Sequence, residues 1–364
     1  MKKKVLYHGT KEMFMDKVTL GNTGITVCRN GFGALPIQRI SKEDAAYIVR
    51  LAYKGGVSFF DTARAYSDSE EKLGYAFEGI PRDSYYLATK TAAENGDDLK
   101  KDLETSLSLL KTDYVDIYQF HNPSFCPKRG DGSGLYEAME EAKREGKVRH
   151  IGITAHRLGV AREAIESGLY ETLQFPFSYI SGEKEMELVE MCRERGMGFI
   201  AMKGLAGGLL NNSKASYAFM SQFDSVLPIW GVQREKEMLE WLSESENPPV
   251  MDEELKAIIE KDRKELRGEF CRGCGYCMPC PMGIQISECA RMIQMIRRAP
   301  SAFQLGKEGQ EMMAAIQNCV KCGKCMDKCP YSLPIPTLLE KNLKDYQDIL
   351  SGRINVSVTE DVRN

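Results

Sequence analysis

The sequence predicts an α/β protein made of a parallel (β/α)8 barrel followed by a small helical module. The chain has 364 residues, which suits a barrel of about 250 residues with an appended domain. Short β-branched and aromatic runs alternate with segments of helical apolar spacing from about residue 20 to residue 245. Two dense runs of cysteines then follow, between residues 271 and 330.

Eight strands can be assigned, and their apolar runs lie at residues 29–34, 57–60, 85–89, 114–120, 148–153, 172–175, 199–202 and 226–230. The segments between them have helical spacing, as in Leu99, Leu103, Leu107 and Leu110. Eight strand-helix alternations favour a closed barrel over an open doubly wound sheet. The open sheet is the alternative, and it is disfavoured because no G-x-G-x-x-G follows the first strand.

We expect the barrel to occupy residues 1–250, a connector helix 251–268, the cysteine-rich module 269–340 and a polar tail 341–364. Asp252 can cap the connector helix and Gly268 can end it. Within the module, helices are predicted at 287–298 and 302–317, separated by Pro300. The last ten residues should be loose.

Composition limits the classes of function. Apolar residues make up 43% of the chain, without a run long enough to span a bilayer, so no membrane association is expected. The net charge of -3 gives no electrostatic case for binding nucleic acid. We expect a cytoplasmic protein, because no apolar signal stretch follows the Met1-Lys-Lys-Lys4 start and free thiols survive in a reducing compartment. The sequence does not predict an oligomeric state.

The two cysteine runs contain eight of the twelve cysteines. The second run has the spacing C-x2-C-x2-C-x3-C-P, which brings three thiolates to one iron-sulfur cube and the fourth to another. The first run has two residues before its last cysteine instead of three. Zinc would be satisfied by two separated pairs, and disulfides would need an oxidising compartment. The spacing therefore predicts two 4Fe-4S clusters in a ferredoxin-like domain.

By this pattern one cube takes Cys271, Cys274, Cys277 and Cys329, and the other takes Cys319, Cys322, Cys325 and Cys280. Cys280 is the least regular ligand, because it closes the shorter run. Outside the runs, Cys192 and Cys289 fit apolar helical faces, and Cys126 lies in a long loop.

Polar residues follow the second, third and fourth predicted strands. Asp61 and Tyr66 come after the second, Lys90 after the third and His121 after the fourth. Because the C-terminal ends of barrel strands converge, these side chains are candidates for one active site. They resemble the aspartate, tyrosine, lysine and histidine tetrad of the aldo-keto reductases, over about residues 15–245. With its cysteines, the whole chain resembles the ferredoxin-fused branch of that family.

The resemblance implies an oxidoreductase that reduces a carbonyl or a related small-molecule substrate. Tyr66 would donate the proton as general acid, and Lys90 would lower its pKa. Asp61 would hold Lys90, while His121 would hydrogen-bond the substrate oxygen.

The resemblance also implies a nicotinamide cofactor, NADP(H) or NAD(H), held at the ends of the later strands. The corresponding positions are Thr154, Gln174, Lys203, Gly204, Gly207, Gly231 and Arg234. The phosphates would lie against the glycine-rich loop after Lys203 and the backbone amides at the start of the last barrel helix, beside Arg234. Three features depart from the family pattern: Thr154-Ala155 replaces Ser-Asn, Phe177-Ser178 replaces the frequent Tyr-Asn, and Glu237 and Trp241 replace the Arg and Asn of tight 2'-phosphate binders.

Nicotinamide passes two electrons together, whereas a cluster accepts one at a time. A flavin fed by the clusters is therefore the main alternative, with FMN in the phosphate site of the barrel. In another alternative the barrel is not catalytic and the clusters relay electrons to a redox partner protein. The sequence does not decide whether His156, after the fifth strand, faces the site.

Overall fold

The computed structural model describes residues 16–266, 270–298 and 302–354. The predicted helix end at Gly268, the break at Pro300 and the loose last ten residues lie outside this part of the chain.

Eight parallel strands form a closed barrel in the order β10-β3-β4-β5-β6-β7-β8-β9, which confirms the predicted (β/α)8 architecture. The strands are β3 (Gly31–Gly33), β4 (Phe59–Asp61), β5 (Tyr86–Thr91), β6 (Val115–His121), β7 (Val148–Thr154), β8 (Thr172–Pro176), β9 (Gly198–Met202) and β10 (Val226–Gly231). Their C-terminal ends gather the predicted catalytic residues at one mouth of the barrel.

An antiparallel hairpin of β1 (Lys17–Thr19) and β2 (Thr26–Cys28) precedes the barrel and was not predicted. Val18 and Val27 are buried, and they belong to the same apolar cluster as the barrel-lining Phe59 and Ile117. Gly21 bridges to Met197, just before β9, so the hairpin covers the end of the barrel opposite the candidate site.

One helix follows each barrel strand, and together they form the outer layer. They are α1 (Lys42–Lys54), α2 (Ser69–Ala76), α3 (Gly96–Leu110), α4 (Leu135–Arg144), α5 (Leu158–Ser167), α6 (Glu183–Glu194), α7 (Ser213–Met220) and α8 (Glu235–Glu246). Side-chain caps fix several starts: Ser41 Oγ accepts the Asp44 amide, and Asn95 and Asn212 cap α3 and α7 in the same way.

The connector helix α9 (Glu253–Glu265) begins at Asp252, whose carboxylate accepts the Leu255 amide at 2.8 Å. Leu255 and Ile259 on its apolar stripe are buried in the barrel's core cluster. The connector is thus packed onto the barrel and brings the chain to the module.

The module is helical and has its own apolar core. Its helices are α10 (Ile286–Cys289), α11 (Met292–Arg298), α12 (Ala302–Leu305), α13 (Lys307–Ala314), α14 (Lys324–Asp327) and α15 (Ile335–Leu350), with a 3-10 turn at Ala315–Asn318. The helix predicted at 287–298 is divided between α10 and α11. The one predicted at 302–317 is divided at Gly306, which precedes α13 as its N-cap.

The predicted boundary at residue 340 falls inside α15. This helix buries Leu338, Leu339, Tyr346 and Ile349 on one face and exposes polar residues on the other. The polar residues on its exposed face are the reason why the sequence suggested a polar tail from residue 341. None of the helices in the described part of the chain is both long and apolar enough to cross a lipid bilayer.

Candidate active site

A buried ion pair joins the ends of β4 and β5. Lys90 Nζ lies 2.6 Å from Asp61 Oδ1, and the two side chains are 1% and 2% exposed. Lys90 also donates to the Thr62 carbonyl at 2.5 Å. Gln119 and Gln174 donate to the carboxylate of Asp61 at 3.3 and 3.4 Å. Burial raises the pKa of the Asp61 carboxyl, and its ion pair with Lys90 opposes that rise.

Tyr66 and His121 lie beside this pair, so the structure brings all four predicted catalytic residues together. Lys90 Nζ is 5.1 Å from the centroid of the Tyr66 ring. The rings of Tyr66 and His121 meet edge to face, with centroids 5.6 Å apart. Both side chains are half-buried, so part of each remains accessible at the barrel mouth.

Burial raises the pKa of Tyr66, while the charge of Lys90 lowers it. Lys90 therefore acts in the expected direction, but burial is the larger effect and the pKa lies above its ordinary value. Burial and the charge of Lys90 lower the pKa of His121 to about 3. The imidazole is thus neutral near pH 7 and can donate a single N–H to an oxygen.

Two of the predicted cofactor residues are engaged by neighbouring side chains. Thr154 Oγ1 donates to Asn122 Oδ1 at 3.1 Å and accepts the Asn122 amide at 2.9 Å. Gln174 donates to Asp61, on the catalytic side of the mouth. Phe177 is buried among Phe199, Phe219 and Phe223, so its ring belongs to the core.

The loop after β9 contacts the cysteine-rich module. Lys203 Nζ donates to the Gly273 carbonyl at 3.3 Å, and Arg291 donates to the Gly207 carbonyl at 2.6 Å. Gly204 packs under Trp230, where a Cβ would lie 2.4 Å from the indole. Burial lowers the pKa of Lys203 to about 8, and the nearby thiol of Cys274 opposes this.

The end of β10 leads into a helix start that the chain caps by itself. Gly231 is exposed. Glu237 Oε2 accepts the backbone amides of Gln233 and Arg234 at 3.0 and 3.1 Å. The exposed guanidinium of Arg234 lies 3.6 Å from the same carboxylate. The amides expected to bind a phosphate are thus hydrogen-bonded to Glu237.

His156 lies between the site and the module, and it is buried. Its Nδ1 is 3.4 Å from Tyr331 Oη, and its ring meets that of Tyr276 edge to face at 5.7 Å. Burial and the charge of Lys203 lower the pKa of His156. The sequence left its orientation open, and the structure places it at the mouth.

The run cysteines lie in two neighbouring groups, and Cys277 is close to both: it lines the cavity of the second group and lies within electrostatic reach of Cys271 and Cys274. Cys277, Cys280, Cys319, Cys322 and Cys325 line one cavity. Cys271 lies within electrostatic reach of Cys274 and Cys329. Cys280 is therefore near the second run and Cys329 near the first, as a crossed arrangement requires. The ligand sets themselves stay a prediction.

The donor chemistry fits iron-sulfur clusters. All eight run cysteines are free thiols in the structure. Across residues 16–266, 270–298 and 302–354, no group of three or more His, Cys, Asp or Glu is close enough to hold a single metal ion. A four-iron cube holds its thiolates on separate irons, so it needs a wider spacing than one ion does.

Other residues near the site were not predicted. Gln119 is buried on β6 and donates to Asp61, and its inward position on a barrel strand was a usable signal. Arg291 gave no signal, because its contact with Gly207 joins residues 84 positions apart. Cys126, which the sequence placed in the loop after β6, is buried beside Tyr170, and burial raises the pKa of its thiol to about 11.

The fold and tetrad define a class of protein that comparison with known families identifies. Residues 29–244 match the aldo/keto reductase family, and residues 270–334 match a 4Fe-4S dicluster domain. The chain belongs to the aldo/keto reductase family and carries a C-terminal 4Fe-4S dicluster domain.

Curated relatives cover the barrel. The chain is 33% identical over 209 residues to the L-galactose dehydrogenase of Arabidopsis thaliana, covering 52% of this chain and 66% of that protein. It is 29% identical over 209 residues to a probable aldo-keto reductase of Glycine max, covering 52% and 60%. It is 27% identical over 228 residues to the NADH-specific methylglyoxal reductase of Escherichia coli, covering 55% and 70%. The chain thus spans less than two thirds of the Glycine max protein's length and about two thirds of the Arabidopsis one.

Solved structures show the same fold. An aldo-keto reductase from Klebsiella pneumoniae, solved in complex with NADPH, superposes with a TM-score of 0.58 at 22% identity, covering 68% of this chain and 95% of that one. The holo form of an aldo-keto reductase from Bacillus halodurans gives a TM-score of 0.59 at 22% identity, covering 68% and 96%.

Proposed function

We propose that this chain is an oxidoreductase that interconverts a carbonyl and an alcohol on a small molecule, with Tyr66 exchanging the proton. One observation carries the proposal: a buried Asp61–Lys90 ion pair lies beside Tyr66, and the accessible parts of Tyr66 and His121 share the barrel mouth. Acid-base catalysis of this kind needs a proton donor within reach of the substrate oxygen.

Each member of the tetrad has a separate task in this proposal. When hydride reaches the carbonyl carbon, negative charge develops on the oxygen and Tyr66 supplies a proton to it. Lys90 stabilises the resulting phenolate, and Asp61 keeps Lys90 charged and in place. His121, held neutral, donates an N–H to the same oxygen and fixes its approach.

We propose a nicotinamide dinucleotide as the source of hydride. The support comes from the family: one relative is named as an NADH-specific reductase, and one solved neighbour contains NADPH. By the family pattern, the positions that would surround it are Thr154, Gln174, Lys203, Gly204, Gly207, Gly231 and Arg234. The Thr154 hydroxyl and the Lys203 ammonium already contact Asn122 and Gly273. Neither the comparisons nor the contacts at the site support FMN.

A second candidate is electron supply through the clusters, and a specific contact favours it. Lys203 and Gly207, in the loop proposed to cradle phosphate, contact Gly273 and Arg291 of the module. Reducing a carbonyl to an alcohol takes two electrons and two protons. Two clusters can supply one electron each, Tyr66 one proton and solvent the other. A redox partner protein would then reload the clusters.

Tyr66→Phe tests the proton assignment, because it removes only the hydroxyl. We expect the rate of carbonyl reduction by the iron-loaded protein to fall by about 10² to 10⁴. In the oxidative direction, the rate of the parent should still be rising at about pH 10, because burial raises the pKa of Tyr66 and the phenolate is the base. The variant should lose that rise.

The control is Tyr47→Phe, which removes an exposed tyrosine hydroxyl that contacts Glu235 on the outer layer. It should leave the rate and its pH profile unchanged. Tyr66→Phe protein that turns over substrate at the parental rate would exclude Tyr66 as the acid. Assays with NADH or NADPH, and with chemically reduced clusters alone, separate the two electron sources.

A further inference from the structure

Two cations lie where the module meets the barrel. Lys203 donates to the Gly273 carbonyl at 3.3 Å, and Arg291 donates to the carbonyls of Ala206 and Gly207 at 3.4 and 2.6 Å. A Cβ on Gly273 would lie 2.7 Å from Arg291 Nη1, so Arg291 fits between the loop after β9 and the first cysteine run. We call Lys203 and Arg291 the cation pair.

The cation pair has no carboxylate partner within the described ranges of the chain. Arg291 Nε is buried there without a hydrogen-bond partner. Cations that are partly removed from water are costly unless an anion is near. In the described residues, the hydrogen bonds of both cations to oxygen go to neutral carbonyls, which favours an anionic group at this junction.

The cysteines of the first run can supply negative charge here when they bind a cluster, whereas Glu185, which lines the same cavity as Lys203, accepts the Gly182 amide. Cys271 and Cys274 act electrostatically on Lys203, and Arg291 acts on Cys271. The Gly273 amide donates to Cys271 Sγ at 3.3 Å, while the Gly273 carbonyl accepts from Lys203. One glycine thus connects the barrel lysine to a predicted cluster ligand.

We propose that the cation pair binds one iron-sulfur cluster and raises its reduction potential. This cluster is the one held by Cys271, Cys274, Cys277 and Cys329. The proposal rests on that predicted ligand set and does not depend on the role of Tyr66. For Lys203 this role is an alternative to holding a dinucleotide phosphate, and the test below separates the two.

The physical reason is charge. Reduction adds one electron to the cube, so its reduced form is the more negative one. A neighbouring cation stabilises that form more than the oxidised form, and net charge is one of the factors that set cluster potentials. Removing either cation should lower the reduction potential of this cluster and leave that of the other cluster unchanged.

Lys203→Met tests the proposal in the full-length, iron-loaded protein. Dithionite is the reductant, and the reduced clusters are followed by electron paramagnetic resonance during an anaerobic redox titration. We expect one of the two potentials to fall by about 59 mV, which corresponds to a tenfold change in the one-electron equilibrium. Lys203→Arg keeps the charge and should keep most of the parental potential.

Lys321→Met is the matched control, because Lys321 lies in the second run, is exposed and pairs with Glu340 at 2.7 Å. It should not move the potential that Lys203→Met moves. Arg291→Met should lower the same potential, which keeps the test open if Lys203→Met loses iron.

The proposal is overturned if neither cation variant shifts a potential, or if both potentials shift equally. It is also overturned if Lys203→Met weakens NADPH binding and leaves both potentials at their parental values, since the lysine would then serve a phosphate. Tyr66→Phe should leave both potentials unchanged, so the outcome is independent of the proposed acid.

Discussion

The two sides of the barrel mouth differ in whether their polar groups are accessible or already hydrogen-bonded within the protein. At the ends of β4, β5 and β6, Asp61 and Lys90 are paired in the core while Tyr66 and His121 keep accessible surface. At the ends of β7 to β10, the predicted cofactor groups are hydrogen-bonded to other parts of the protein: the Thr154 hydroxyl to Asn122, the Lys203 ammonium to Gly273 and the Arg234 amide to Glu237.

In the proposed mechanism, proton transfer takes place on the first side of the mouth and the electrons arrive from the second. The proton-transfer side has donors and a buried charge arranged around an accessible phenol, which is what acid-base catalysis requires. On the cofactor side, a dinucleotide would have to replace or share hydrogen bonds that already exist. The tetrad residues therefore keep the arrangement expected from the family pattern, while several of the predicted cofactor residues already contact other parts of the protein.

Breaking the buried pair should give the largest effect. Lys90→Met leaves Asp61 buried without its counter-ion, and losing one partner of a buried pair costs about 3 to 5 kcal/mol. We expect the free energy of unfolding to fall by that amount in denaturant titrations of the barrel, and turnover to fall at least about 100-fold.

Two comparisons make this result specific. Combining Asp61→Asn with Lys90→Met removes the unpaired charge and should restore part of the stability but none of the activity. Lys147→Met breaks surface ion pairs with Glu104 and Glu145 and should change the free energy of unfolding far less. If Lys90→Met were as stable as the parent, Asp61 would not depend on Lys90 for its burial.

The fold was predictable because the barrel strands can be recognised from the residues within each strand and the helix that follows it. A run such as Val115–His121 is apolar and β-branched, and it is followed by a helix at regular spacing. The hairpin at Lys17–Thr19 and Thr26–Cys28 was missed because each strand has three residues and its burial depends on the barrel above it. The split at Gly306 also depends on packing within the module.

The tetrad was predictable for a related reason: its residues follow strands whose ends converge, and their main partners are one another. The cofactor side was not. Whether Lys203 meets a phosphate or a cluster depends on Gly273, which is 70 positions away in the chain. The role of Glu237 was suggested by its departure from the family pattern, but its hydrogen bonds to two amides needed the coordinates.

Freeing the backbone amides at the start of α8 should have an intermediate effect, measured as a change in NADPH affinity. Glu237→Gln removes the carboxylate that occupies the amides of Gln233 and Arg234, and so removes its repulsion of a phosphate. We expect NADPH to bind about tenfold more tightly, or by about 1.4 kcal/mol, in calorimetric titrations of the iron-loaded protein.

Glu235→Gln is the matched control, since Glu235 lies in the first turn of the same helix but accepts from Tyr47. It removes the same charge without freeing the two amides. Equal tightening in both variants would attribute the gain to net charge alone, and unchanged affinity in Glu237→Gln would show that the amides do not meet a phosphate.

Thr154→Val should give the smallest effect. It tests whether the Thr154 hydroxyl stabilises the fold or binds the cofactor. Valine keeps the shape of threonine but loses both hydrogen bonds of the hydroxyl to Asn122, whose backbone amide keeps its bond to the Thr154 carbonyl at 3.2 Å. We expect the free energy of unfolding to fall by about 1 to 2 kcal/mol in denaturant titrations, and the affinity for NADPH to stay within a factor of about three. Thr154→Ser keeps the hydroxyl and should be less destabilised. A large loss of NADPH affinity in Thr154→Val, with parental stability, would mean that this hydroxyl serves the cofactor, and that the cofactor side of the mouth is more open than its hydrogen bonds indicate.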